Sequence, residues 1–193
     1  EDAKLGLLAV GLDWRSRDVR LSGDIGWQDH QLKRTRTNVT LGANVTSVPA
    51  VPDNQSNYAQ PWSYSNERDT FGTFRGEWDI TPDMTAWAAA GARRSEEANS
   101  LANLTVNNGS TGAATTYRFD NTRKDSVNTG ELGVRGKLQT GSVGHEWVAS
   151  ASLFDFEKKN AYAMDSRNTL ATNLYGPVST NLPAFSGTTL YGG

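Results

Sequence analysis

Residues 71–92 read FGTFRGEWDITPDMTAWAAAGA, two runs of alternating apolar and polar residues joined by Thr81-Pro82-Asp83. At a period of two, the first run sets Gly72, Phe74, Gly76, Trp78 and Ile80 on one face and Thr73, Arg75, Glu77 and Asp79 on the other. In a soluble sandwich the apolar face would meet a core and the polar face bulk water. A membrane barrel reverses the sense, with grease toward lipid and polarity toward a wet lumen. The remaining sequence decides between the two.

Composition narrows the choice. The chain has 193 residues, no Cys, a formal charge of -2 and a mean hydropathy of -0.58. No stretch approaches the ~20 apolar residues of a spanning helix. Many Gly, Thr, Ser and Asn residues and few helix-forming runs point to an all-β chain with polar loops. Low hydropathy is compatible with a barrel, whose strands need only every second residue apolar. No basic tract or basic-aromatic stripe suggests nucleic acid, and the lack of Cys excludes a disulfide scaffold and thiolate metal sites. Neither an initiating Met nor a signal sequence precedes the strand-like start at Glu1, and residues 190–193 have loop-like composition. The expectation is an interior fragment of a longer protein.

Working outward, residues 4–15 alternate Gly6, Leu8, Val10, Leu12 and Trp14 against Ala9, Gly11, Asp13 and Arg15, with Leu7 as the exception. After the turn Ser16-Arg17-Asp18, Val19, Leu21, Gly23, Ile25 and Trp27 alternate with Arg20, Ser22, Asp24, Gly26 and Gln28. Residues 29–69 lose the pattern and read as a long polar loop. Residues 84–93 form the return strand of the opening pair; its phase is ambiguous, and Trp87 is read as facing lipid. Residues 95–125 read as a second long polar stretch, with Asn107-Asn108-Gly109 marking a turn inside it. Then Leu132, Val134 and Leu138 stand against Glu131, Arg135 and Lys137, Thr140-Gly141-Ser142 turns the chain, and His145, Trp147, Ala149, Ala151 and Leu153 return. From residue 157 onward a third polar stretch follows, whose end holds part of a seventh strand.

The pattern is three hairpins closed by about three residues each, with connections of roughly thirty to forty residues on the opposite rim, the loop asymmetry of outer-membrane barrels. Trp14, Trp78, Trp87 and Trp147 each fall near a short turn, so they read as a girdle of membrane-interface aromatics.

The segments LGLLAVGLDWRSRDVRLSGDIGWQ, RGEWDITPDMTAWAAAGARRSE, GELGVRGKLQTGSVGHEWVASASLF and ATNLYGPVSTNLP, in this order and spacing, resemble the middle barrel strands of TonB-dependent siderophore receptors. That resemblance implies an antiparallel up-and-down transmembrane β-barrel segment with long extracellular loops, about six strands of a barrel of about 22. It further implies ferric siderophore uptake at the bacterial outer membrane, amid lipid and lipopolysaccharide, powered by TonB-ExbB-ExbD through an N-terminal plug domain. Residues 1–193 then form a partial barrel domain without that plug or the C-terminal strands.

No catalytic constellation stands out, so the chain reads as a transporter segment rather than an enzyme. His30 and His145 are far apart and suit interfacial anchoring. Glu77, Asp79 and Glu131 beside Arg75, Arg135 and Lys137 suit a hydrated wall of paired charges. The candidates for ligand contact are the loop aromatics and cation Tyr58, Trp62, Tyr64, Tyr117 and Arg118, since ring faces and a guanidinium suit a flat anionic chelate. Iron would travel inside the siderophore, so no cofactor and no protein ligands to metal are expected. Two other readings stay open: a soluble or surface-displayed β-sandwich that binds glycans or acts as an adhesin, and a complete small outer-membrane barrel.

Overall fold

The computed structural model describes residues 2–193; Glu1 lies outside them. Nine strands form one sheet: β1 (Asp2–Arg15), β2 (Val19–Lys33), β3 (Val39–Leu41), β4 (Tyr64–Thr81), β5 (Met84–Val106), β6 (Ala113–Thr140), β7 (Val143–Met164), β8 (Leu170–Asn173) and β9 (Leu190–Gly192). The six long strands pair antiparallel in the order β1-β2-β4-β5-β6-β7, and the sheet is open. The three β-turns at one rim are short: residues 16–18, 82–83 and 141–142. Gly141 takes a positive φ of 60° there, a conformation that costs glycine nothing.

Register assigns the faces. Trp14, Leu21, Gly76, Ala88, Leu132 and Ala151 form one continuous cross-strand row, with Gly23, Phe74, Ala90, Gly130 and Leu153 in the row above. The opposite face carries Arg20, Glu77, Trp87 and Gly133 in a single row. Leu21, Ile25, Phe74 and Trp78 are 37%, 63%, 51% and 56% exposed, so no second sheet covers the apolar face among the described residues. Burying each such side chain is worth about 1.5–3 kcal/mol. Left in water, this face would forgo that stabilisation many times over. The described residues thus pack no sandwich core on the apolar band.

Several stretches read as loop are strand: β4 starts at Tyr64 and β7 runs to Met164. Residues 95–125 are not a loop: β5 and β6 run on to Val106 and from Ala113, leaving only residues 107–112 as the connection. Asn107 and Asn108 both donate backbone N–H to Ala113 O, at 2.8 and 3.2 Å, so the turn sits where the Asn-Asn-Gly signal puts it. The hairpin stands above the other strands. Residues 34–63 and 165–193 fold against its apolar-side face, where Leu104, Val106, Ala114 and Leu174 make the buried cluster and Tyr58 and Tyr175 pack on it. Short β3 extends the β5 edge in parallel, and β8 extends the β6 edge. The expected part of a seventh strand at the end of the chain is β9, three residues that pair with β7.

Candidate functional site

The polar face is built from side chains that alternate inward along β2, β4, β5 and β6. Near the short-turn rim, Arg20 grips Asp79 with both terminal nitrogens, at 2.6 and 2.7 Å, and its Nε donates to Glu77 at 3.2 Å. Glu77 also accepts from Arg75 at 2.9 Å and from Arg135 at 3.1 Å. Thr85 adds a hydroxyl donor to Asp79 at 2.7 Å. Three guanidiniums thus share two carboxylates, an arrangement in which each charge has a fixed partner.

Trp87 lies inside this network, not toward lipid. It is directly opposite Glu77 and Gly133, only 9% exposed, and its indole N–H donates to Glu131. The Arg75 and Arg135 guanidiniums stand 5.5 and 5.9 Å from the ring centre. A β-carbon at Gly133 would lie 2.1 Å from the indole, so glycine is what lets the ring lie flat on β6. The other three tryptophans of the expected girdle, Trp14, Trp78 and Trp147, are exposed on the apolar face.

Higher on the polar face the character shifts from charge to amide and aromatic. Arg93 pairs with Asp69 at 2.7 Å, and Arg123 with Glu97 at 2.6 Å and Asp125 at 3.0 Å. Above them Asn121 donates to Asn160 at 3.0 Å, Asn103 donates to the Tyr117 hydroxyl at 3.2 Å, and Phe119 stacks on Tyr162 with ring centres 6.0 Å apart. Buried Asn99 keeps an unpartnered side-chain oxygen on this face.

The five residues singled out from sequence do not converge. Tyr117 is on the polar face. Arg118 points the other way, where its Nη1 donates to Pro183 O at 2.8 Å, its Nε to Asp120 at 3.1 Å, and its guanidinium covers Phe185 at 4.1 Å. Tyr64, opposite Ser100, shares the Arg118 side. Tyr58 donates its hydroxyl to Thr37 O at 2.6 Å, and Trp62 its indole N–H to Thr180 at 3.4 Å. Arg118, Tyr58 and Trp62 brace the loops. Sequence reading did not single out Phe119, Asn121, Asn160 and Tyr162, which lie in β6 and β7 within stretches that read as loop.

Two clasps join the loops. Buried Gln60 donates to Val178 O at 2.9 Å and accepts from the Thr180 backbone N–H at 2.9 Å. Buried Asp165 accepts the Ser186 backbone N–H and hydroxyl, both at 2.7 Å, and these bonds hold its carboxyl below the usual carboxylate range.

No family model matches the chain. Over 170 residues, 88% of its length, it is 31% identical to the ferrichrome receptor FcuA of Yersinia enterocolitica, of which the match spans 22%. Its fold superposes on the crystal structure of BauA, the ferric preacinetobactin receptor from Acinetobacter baumannii, with a TM-score of 0.88. That superposition covers 97% of this chain and 29% of BauA at 24% identity. The chain thus spans less than a third of either receptor. In sequence, and in an all-β sheet that is greasy on one face and charged on the other, this chain is similar to a segment of the β-barrel of ferric siderophore receptors.

Proposed function

We propose that the chain forms part of the wall of an outer-membrane receptor that takes up ferric siderophores. The observation that carries this reading is the uncovered apolar face backed by a face of paired charges, in a chain similar to a ferrichrome receptor. In that setting β1, β2 and β4 to β7 cross the outer membrane of a bacterium, and the polar face lines the lumen. Residues 1–193 are then a partial barrel domain. A plug domain and the TonB-ExbB-ExbD complex belong to the rest of the receptor, and the iron is cargo within its chelator.

Ligand contact is assigned to the amide and aromatic tier of the polar face: Tyr117, Phe119, Tyr162, Asn121 and Asn160. Half-exposed rings offer stacking surfaces and the amides offer both donors and acceptors. Tyr58, Trp62 and Arg118 serve capture indirectly, by fixing the loops on the opposite face of the hairpin. The test is iron-limited growth of a strain lacking the full-length receptor, fed a panel of ferric siderophores. Loss of growth on at least one supports the reading, and unchanged growth on all of them rejects it.

A further inference from the structure

The guanidinium expected at the ligand tier is turned away from it. Arg118 is held by Asp120, Pro183 O and the Phe185 ring on the other face. The polar-face row Ser65, Asn99, Asn121 and Tyr162, with the Tyr117 and Phe119 rings above it, therefore carries no charge. The row beneath runs Glu67, Glu97, Arg123 and Asn160, and the next Asp69, Ser95, Asp125 and Lys158. Arg93 reaches Asp69 at 2.7 Å and Glu67 at 3.7 Å, and Arg123 reaches Glu97 at 2.6 Å and Asp125 at 3.0 Å. Each guanidinium is thus shared between two carboxylates, and Lys158, opposite Asp125, is the one cation left to balance the excess. Asn99 adds a directional demand. It is 7% exposed, its Nδ2 donates to Glu97 at 2.7 Å, and its Oδ1 has no partner among the described residues. A carboxylate only accepts, so Glu97 fixes which way the amide points and leaves a buried oxygen that needs a donor.

We propose that this tier selects an iron chelate of no net charge with outward amide N–H groups, the trihydroxamate class, and rejects trianionic tricatecholates. The proposal rests on the receptor reading above and specifies its ligand. It departs from the anionic chelate that the sequence suggested, because the cation behind that expectation faces away. Three hydroxamates neutralise ferric iron, whereas three catecholates leave three negative charges over. Against this wall a trianion meets carboxylates in excess, and like-charge juxtaposition costs more than ring stacking returns. An uncharged chelate keeps the stacking, and one of its amides supplies the N–H that Asn99 Oδ1 lacks.

The test uses the full-length receptor, purified in detergent as the wild type, as Asn99→Leu and as Glu67→Gln. Each is dialysed to equilibrium against radio-iron-labelled ferrioxamine E and ferric coprogen, both uncharged trihydroxamates, and against ferric enterobactin, a trianionic tricatecholate. The wild type is expected to bind at least one uncharged chelate about tenfold tighter than ferric enterobactin. Asn99→Leu should weaken that chelate about fivefold. Glu67→Gln should strengthen ferric enterobactin alone, and so should added salt in the wild type, by screening the carboxylates. Ferric enterobactin bound as tightly as the uncharged chelates overturns the proposal, as does unchanged affinity for them in Asn99→Leu. Failure to bind either uncharged chelate overturns it too. Growth on any other chelate of the panel above then keeps the receptor reading, and growth on none removes both. Heat-modifiable migration shows that each variant is folded.

Discussion

Tyr117 and Arg118 are consecutive in β6 and serve opposite sides of the sheet: the tyrosine hydroxyl accepts from Asn103 on the polar face, and the arginine holds Pro183 and Phe185 on the other. They cannot grip one ligand together. Tyr117→Ala in the full-length receptor is expected to weaken siderophore binding about tenfold, a loss of about 1.4 kcal/mol, with the loops intact. Arg118→Ala removes a guanidinium–ring contact and a charge-assisted hydrogen bond, together about 1–3 kcal/mol. Its expected effect is faster hydrogen exchange and proteolysis around residues 183–186. Equal effects of both variants on ligand affinity and on loop protection would contradict this division.

Glu77 is the hub of the rim network, with three arginines on one carboxylate. Glu77→Ala leaves those guanidiniums short of a partner and should cost about 2–4 kcal/mol in unfolding free energy. Arg17→Ala, whose contact with Asp18 at 3.8 Å is exposed, should change stability by less than about 0.5 kcal/mol. Unfolding of both variants in detergent micelles checks the contrast.

Gly133 and Gly130 lie three residues apart in β6 with opposite tolerance. A side chain at Gly133 meets the Trp87 ring, and one at Gly130 meets nothing within 4 Å. Gly133→Val should destabilise by about 1–3 kcal/mol as the indole is pushed off Glu131, while Gly130→Val is accepted. Thermal melts that rank the two variants the other way would refute the inward placement of Trp87.

The Asp165 clasp sets a pH dependence. Its folded-state pKa is depressed by the Ser186 bonds, so its stabilising contribution is complete above the unfolded value of about 3.9 and is lost as pH falls through the lower folded value. Limited proteolysis of residues 165–193 should therefore accelerate below about pH 4 in the wild type. Asp165→Asn should be open at neutral pH and show little further change on acidification.

The strands were legible where one face is the apolar band, because only there does polarity alternate with the pleat. Val19 to Trp27 and Phe74 to Trp78 show it without ambiguity. Above the band both faces are wet or covered by loops, so Asn99 and Ser100, or Asp120 and Asn121, put polar residues on successive positions and the strand signal vanishes. Trp87 was unreadable for a related reason: Ala86, Ala88 and Ala90 are as small on one row as Ala89 is on the other, and only register against Glu77 fixes its side. The candidate contact residues were chosen for ring and guanidinium chemistry in loop-like stretches, and the sequence does not show that Arg118 and Tyr58 direct their hydrogen bonds within the chain.

The central claim is the direction of the apolar face, and the chain's lack of cysteine makes it measurable. Single cysteines at positions 129–132, 134 and 135, placed in an otherwise cysteine-free full-length receptor in bilayers and spin-labelled, report collision with oxygen in lipid or with a water-soluble nickel chelate. The account predicts oxygen access at 130, 132 and 134 and chelate access at 129, 131 and 135. Absence of that alternation, or its reversal, contradicts the account.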